Sequence, residues 1–225
     1  MTDAVPGLQT AYIPTYAELG TPAALLDRST SAVLGGSTPA LRPGEPWPRC
    51  AECDKPLVPY IQINLSSPHT PAAFRDRFPG LADGGKDDGR TPIFQVLVCA
   101  EDENAECLQD NVVSNPEGGA WLIRVVHVTE EDLAAVETAR KEIGEDRFFV
   151  VERVISGWAE GMQEVEHCEV NWGLEDDIYE RHAPAEGLKL LGWPVRGMTS
   201  CSPTSASAAD SAVPCRQILH VQRHV

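Results

Sequence analysis

The sequence lacks the features of a membrane or secreted protein. It contains no apolar run near the ~20 residues that a membrane-spanning helix requires. Its first residues, MTDAVPGLQTAYIP, include neither a basic segment nor an apolar one, so no secretory signal is predicted. We therefore expect a cytoplasmic protein, with the nucleus as the alternative, and no membrane association. Thiols stay reduced in those compartments, so the 7 cysteines are expected to be metal ligands or buried apolar groups rather than disulfides.

Positive charge is also scarce. The chain has 18 Lys and Arg residues against 34 Asp and Glu residues, which gives a net charge of −16. So negative a surface repels phosphate backbones, and no nucleic-acid binding is expected. A protein partner, in particular a basic one, suits this charge.

Signatures of known catalytic sites are missing. The sequence has no Gly-x-Ser-x-Gly, no phosphate-binding glycine loop, no dinucleotide fingerprint and no His-Glu-x-x-His. A non-catalytic role is therefore the main expectation. The alternative is a hydrolase or transferase that uses an unrecognised pocket lined by the acidic segment 160–186.

A metal site is indicated by four cysteines. Cys50 and Cys53 have the Cys-x-x-Cys spacing that brings two thiolates to one tetrahedral metal ion. Cys99 ends an apolar segment, and Cys107 follows it. If the segments 57–65 and 93–99 pair, the four sulfurs converge on a structural zinc ion with no open position for water. The alternative is that Cys99 is a buried apolar residue and Cys107 a surface thiol.

Hydrophobic patterning predicts an α+β fold that is rich in strands. Apolar or alternating runs rich in β-branched residues predict strands at 57–65, 93–99, 121–128 and 148–155, the last broken at Gly157 and Trp158. Thr129 and Asp132 resemble a capping box and predict one well-defined helix at 129–143. Short helices are also predicted at 22–27, 71–76 and 174–180. The sheet is expected to be mostly antiparallel.

Three polar residues and two tryptophans could lie either on the surface or in the interior. Gln62, Asn64 and Gln95 fall inside strands, and we expect them to face solvent; the alternative is a hydrogen-bond network across the strand pair. Trp47 and Trp193 are expected in the core or in turns. If both were exposed side by side, they would form a peptide-binding patch.

Domain organisation follows from an internal similarity. The stretch at 188–194, LKLLGWP, is similar to VLGGSTP at 33–39, and Cys215 precedes a short strand-like run as Cys53 does. We therefore expect an arm at 1–30 and one domain at 31–225 with internal duplication. Its halves are 31–128 and 145–225, and the second half is incomplete. Residues 31–48 are expected to form a surface loop.

These motifs together resemble the YwqG-like family, a domain of unknown function. The resemblance is carried by Gly35-Gly36 with Pro39, by Trp47-Pro48 with the cysteine pair, and by the strand FQVLVC that ends at Cys99. More distantly, the chain is similar to the programmed cell death protein two group, which acts as a chaperone of a ribosomal protein. The resemblance implies a β-rich duplicated fold, and the distant one a chaperone-like role.

Overall fold

The protein is strand-rich, and the expected β-rich α+β class is confirmed. The computed structural model describes residues 8–36, 38–80, 89–99, 120–140, 151–164, 188–191 and 219–220. Within these ranges no helix is both long enough and apolar enough to cross a membrane.

The described elements agree closely with three of the predicted strands. The strands are β1 Gln9–Tyr16, β2 Ala32–Leu34, β3 Leu57–Asn64, β4 Thr91–Cys99, β5 Trp121–Val128, β6 Arg153–Glu164, β7 Lys189–Leu191 and β8 Leu219–His220. The helices are α1 Ala72–Arg75, at the site of the predicted short helix 71–76, and α2 Glu130–Arg140. All strand pairings given for the described residues are antiparallel.

Two compact units divide the chain. The larger unit is Thr15–Trp158, and the smaller one is Met1–Pro14 with Ala159–Val225. Strand order is β5-β4-β3-β2-β6-β1 in the larger unit and β6-β1-β7-β8 in the smaller one. Strands β1 and β6 appear in both orders because each contributes residues to both units. Most of the predicted second half, 145–225, lies outside the described residues, as does the short helix predicted at 174–180. The internal duplication therefore stays a prediction.

Strand register fixes which side chains share a face of β3 and β4. Leu57 lies opposite Cys99 and Gln62 lies opposite Gln95, with an irregularity between Pro59 and Ile61 that leaves Tyr60 as an extra residue. Side chains alternate along a regular strand, so this bulge brings Leu57 and Gln62 to the same face. Pro59 lacks an amide hydrogen and is tolerated beside the bulge, where the ladder is already interrupted.

Apolar packing covers both faces of these central strands. On the face of Cys99, one cluster surrounds the cysteines and a second lies at the other end of β4. The second consists of Leu25, Val33, Ala40, Ile93, Val126 and Val128, with Leu26 and Leu133 packed against it. On the opposite face, Phe94 packs against Phe74 and Phe78 with ring centroids 5.4 and 5.2 Å away. Burial on both faces explains the almost continuous apolar character of β4.

Helix α2 begins with the predicted capping box. The Thr129 amide donates to Asp132 Oδ2 at 2.8 Å, and the Asp132 amide donates back to Thr129 Oγ1 at 3.3 Å. These bonds satisfy amides that have no partner inside the helix. Residues 141–150 lie outside the described ranges, so the predicted end at 143 stays a prediction.

Several local expectations are wrong. The expected break in β6 does not occur: the strand continues through Gly157 and Trp158, and the Trp158 indole N–H donates to Ser31 Oγ at 2.8 Å. Residues 22–27 do not form a helix; the chain is irregular here and turns at Leu25 and Leu26. Residues 9–16 form β1, in which β-branched and aromatic residues outweigh the single proline at position 14. The expected arm at 1–30 contains this strand, and its boundary stays a prediction.

The expected surface loop at 31–48 is also wrong in part. Ala32–Leu34 forms β2, which pairs with both β3 and β6. Further along, Ala40 and Leu41 are only 0% and 3% exposed. The two glycines and Pro39 suggested an irregular segment, but tertiary packing buries much of it.

Candidate metal centre

The first pair of cysteines lies on a tight hairpin turn. The Cys50 amide donates to Lys55 O at 2.8 Å, the Asp54 amide donates to Cys50 O at 2.8 Å, and Arg49 forms a bridge with Pro56. Asp54 has a φ of 59°, a left-handed conformation that Asp adopts more readily than most residues. The turn therefore folds back so that Cys50 and Cys53 face the same side.

The third cysteine is positioned by the sheet. Cys99 is the last residue of β4, opposite Leu57, the first residue of β3 after the hairpin turn. Its amide donates to Ala120 O at 2.9 Å, which ties the strand end to the start of β5. The predicted pairing of the segments 57–65 and 93–99 is confirmed, and this pairing brings Cys99 to the hairpin turn.

The three sulfur atoms converge. The Sγ atoms of Cys50, Cys53 and Cys99 all lie within 4.8 Å of one another, and those of Cys53 and Cys99 are 3.5 Å apart. Sulfurs that bind one tetrahedral zinc ion at about 2.3 Å are roughly 3.8 Å apart. None of the three is in a disulfide. The donor set and its spacing therefore fit a thiolate-bound metal ion.

The surroundings of the sulfurs are mostly apolar. Cys50 and Cys99 are 2% and 0% exposed, whereas Cys53 is partly exposed. The cluster around them contains Leu57, Leu97 and Ala120, with Trp121 and Leu122 packed against it. Thiolates buried in such a cluster need a counter-charge, which a divalent cation supplies. Cys99 is thus both a buried strand residue and a member of the cysteine cluster.

The fourth predicted ligand, Cys107, lies outside the described residues. A four-cysteine site therefore stays a prediction, while three of its members are together. Among the described residues, these cysteines are the one group of three or more His, Cys, Asp or Glu side chains that could hold a metal ion. Most of the acidic segment 160–186, proposed as an alternative enzyme pocket, also falls outside the described ranges.

Trp47 supports the hairpin turn. Its indole N–H donates to Leu57 O at 2.8 Å, and the Leu57 amide donates to Pro48 O at 2.9 Å. These bonds fix the chain on both sides of the cysteine turn. Trp193 lies outside the described residues, so the predicted peptide-binding patch with Trp47 stays a prediction.

A row of polar side chains lies on the same face of the sheet as Cys99, and we call it the polar row. Gln62 lies opposite Gln95, and Gln95 lies opposite Arg124. Gln95 Nε2 donates to Gln62 Oε1 at 3.2 Å, and Arg124 Nε donates to Gln95 Oε1 at 2.6 Å. The two glutamines are 3% and 0% exposed. The expectation that they face solvent is wrong, and the alternative of a network across the strands is confirmed.

Asn64 is likewise buried. It is 0% exposed, and its Nδ2 donates to Leu25 O at 3.0 Å. The expectation that this amide faces solvent is therefore also wrong. A backbone carbonyl that precedes β2 takes the place of water as its partner.

Residues 38–45 cover this row, and we call them the covering segment. Gln62 Nε2 donates to Thr38 O at 2.9 Å, and Gln62 Oε1 accepts a bond from the Ala40 amide at 2.7 Å. Gln95 Nε2 also donates to Ala40 O at 3.0 Å. At the end of the segment, the Glu45 carboxylate forms an ion pair with Arg124. The row is therefore buried, and its polar groups find protein partners instead of water.

The ionisation of Glu45 reflects these contacts. Partial burial raises the pKa of the carboxyl group, but the hydrogen bond from Arg124 lowers it, as do the Arg42 amide and the charges of both arginines. The net effect is a pKa below the ordinary value. The carboxylate form is therefore favoured in the folded protein.

In comparisons with known proteins, no family model and no curated protein matches the chain.

Proposed function

We propose that this chain is a zinc-stabilised, β-rich protein-binding module of the YwqG-like type, in which the metal has a structural and not a catalytic role. The observation that supports the proposal is the convergence of Cys50, Cys53 and Cys99 within 4.8 Å. Two of these residues come from one hairpin turn and the third from the end of a strand that pairs with the same hairpin. A metal ion bound there joins elements that are far apart in sequence.

Zinc is the metal that suits this donor set. Soft thiolates favour zinc over the hard cations that prefer oxygen ligands, and tetrahedral geometry suits sulfurs at this spacing. We assign Cys107 as the fourth ligand. Four thiolates leave no position for water or substrate, so the zinc stabilises the fold without taking part in a reaction.

The partner is expected to be a basic protein. A net charge of −16 attracts cationic surfaces and accelerates their association, an effect that weakens as salt is added. The metal supports binding indirectly, because it holds the hairpin turn against β4 in one arrangement.

Metal analysis tests the first part of the proposal. The purified full chain should contain one zinc ion, and a chelator should release it together with four newly titratable thiols. Cys50→Ser, Cys53→Ser, Cys99→Ser and Cys107→Ser should each lower the zinc content strongly. Cys168→Ser is the matched control and should retain the metal. Full zinc occupancy in the Cys99→Ser variant would contradict the site.

Crosslinking in cell extract tests the second part. The zinc-loaded chain and the zinc-free Cys99→Ser variant are compared as baits at low and at high salt. We expect basic proteins on the zinc-loaded bait at low salt, fewer of them at high salt, and fewer on the variant. Recovery of no partner, or of the same proteins on both baits, would contradict the binding role.

A further inference from the structure

Cys53 and Cys99 form a pair of contacting sulfurs. They lie 46 positions apart in sequence, and their Sγ atoms are 3.5 Å apart. A disulfide requires a separation of about 2.05 Å, so a shift on the order of 1.5 Å in one side chain closes the bond. The pair also joins two different elements, the hairpin turn and the end of β4.

The three cysteines of the site differ in access. Cys50 and Cys99 are 2% and 0% exposed, and only Cys53 is partly exposed. Its neighbours in the turn, Ala51 and Glu52, are exposed as well. A small oxidant in solution therefore meets Cys53 first, because susceptibility follows thiolate character and exposure.

Backbone hydrogen bonds hold Cys50 and Cys99 in place. The amide and the carbonyl of Cys50 are both bonded within the hairpin, to Lys55 O and from the Asp54 amide. The Cys99 amide is bonded to Ala120 O. Cys53 is only partly buried against the apolar cluster, so its side chain can move toward Cys99 with less disturbance of packing than that of Cys50.

We propose that Cys53 and Cys99 are a redox-modification site, at which hydrogen peroxide forms a disulfide between them and expels the bound zinc. This inference rests on the proposed function in one respect, namely that the same thiols hold the metal. The disulfide itself depends only on the two sulfurs.

The chemistry proceeds in two displacements. The Cys53 thiolate attacks one peroxide oxygen, the O–O bond breaks, and hydroxide leaves and is protonated to water, so that Cys53 becomes a sulfenic acid. The Cys99 thiolate then attacks the Cys53 sulfur, the S–O bond breaks, and a second water forms. Two sulfurs together lose two electrons, and these reduce one peroxide to two waters. Zinc loses two ligands and leaves as the divalent ion.

The crosslink preserves the connection that the metal makes. A disulfide between Cys53 and Cys99 still joins the hairpin turn to β4, and it closes a long loop of the chain. A disulfide between Cys50 and Cys53 would leave the turn unattached to the strand. Oxidation at the proposed pair therefore releases zinc while the two elements remain joined.

Peptide mapping of the full chain tests the site. Zinc-loaded protein is treated with hydrogen peroxide, zinc release is followed with a chromogenic chelator, and the remaining thiols are alkylated without reduction. Cleavage after both glutamate and arginine separates every cysteine of interest, because Glu52 lies between Cys50 and Cys53, Arg90 lies between Cys53 and Cys99, and other glutamates lie between Cys99 and Cys107. We expect a Cys53 to Cys99 linkage that grows in proportion to released zinc and disappears on reduction.

Variants and metal-free protein distinguish this inference from the proposed function. In chelated protein, Cys50→Ser should still form the linkage, whereas Cys53→Ser and Cys99→Ser should lose it. Zinc content before oxidation tests the metal alone, so a chain without zinc that still forms this linkage would refute the metal and retain the redox site. A main linkage between Cys50 and Cys53, one between Cys99 and Cys107, or sulfinic acid at Cys53 with Cys99 still reduced would overturn the inference.

Discussion

Replacing Gln95 by leucine tests the buried polar row most directly. The side chain is 0% exposed and makes three hydrogen bonds, to Ala40 O at 3.0 Å, to Gln62 Oε1 at 3.2 Å and from Arg124 Nε at 2.6 Å. Leucine has a similar size but can make none of them. The substitution therefore leaves the Arg124 Nε–H, in particular, without its partner in a partly buried position.

The expected cost follows from the kinds of bond that are lost. A neutral hydrogen bond contributes about 1 kcal/mol net, and one to a charged group contributes about 2 kcal/mol. Two neutral bonds and one charged bond give a loss of roughly 4 kcal/mol, of which the burial of leucine offsets about 1 kcal/mol. We therefore expect Gln95→Leu to lower the free energy of unfolding by about 3 kcal/mol.

Urea unfolding followed by tryptophan fluorescence measures this loss, with zinc content held equal in all samples. The matched control is Gln9→Leu, the same change at a partly exposed position of β1, expected within about 0.5 kcal/mol of the parent. In the double-mutant cycle with Arg124→Met, the combined loss should fall short of the sum by at least about 1 kcal/mol. A loss below about 1 kcal/mol for Gln95→Leu, or strict additivity with Arg124→Met, would refute the network.

Three further predictions concern other parts of the structure. The pKa of Glu45 is lowered in the folded state, so its stabilising effect is fully present above its ordinary value of 4.5 and is lost as the pH falls through the folded pKa. The Glu45→Gln variant should show a smaller loss of stability than the parent in that acid range, as measured by urea unfolding at several pH values. Thr129→Ala removes the hydroxyl that accepts a bond from the Asp132 amide, and should lower the free energy of unfolding by about 1 kcal/mol in urea melts. Gly161→Ala places a Cβ 2.8 Å from Ala11 O, a backbone atom, and should lower the melting temperature of the smaller unit in a calorimetric scan.

Each of these predictions has its own control. An acid transition in Glu45→Gln that coincides with that of the parent would show that this carboxylate is not responsible. For the helix cap, Glu131→Gln changes an exposed residue of the same first turn and should cost less than Thr129→Ala. Gly44→Ala is the control for Gly161, because nothing lies within 4 Å of the added Cβ and only the strain of a φ of 71° remains.

Elements with a strong local signal were predictable from the sequence. Strand β4 contains an almost continuous run of Ile, Phe, Val and Leu, which is typical of a strand buried on both faces. Helix α2 begins with a capping box whose two residues, Thr129 and Asp132, are close together in sequence. The convergence of Cys50, Cys53 and Cys99 also followed from local spacing together with one assumed strand pairing. Cys50 and Cys99 meet because Leu57 and Cys99 are in register.

Features that depend on tertiary packing were not predictable in the same way. Gln62 and Gln95 are polar residues on strands, and the usual inference is that such residues face solvent. The covering segment reverses this inference, since Ala40 supplies both an amide and a carbonyl to the two side chains. Similarly, Gly157 suggested a strand break, but β6 continues because Trp158 finds a hydrogen-bond partner in Ser31. In each case the deciding partner lies far away in sequence.

The extra residue at Tyr60 determines which features share one side of the sheet. Before Tyr60, the odd-numbered residues of β3 lie on the same face of the sheet as Cys99. After Tyr60, the even-numbered residues lie on that face. If β3 kept Tyr60 but paired residue for residue without the bulge, Leu57 and Gln62 would lie on opposite faces of the sheet. Either the cysteine hairpin would then turn to the side of the phenylalanines, or Gln62 would leave Gln95 and the covering segment. One inserted residue thus allows the thiol cluster and the glutamine row to lie side by side.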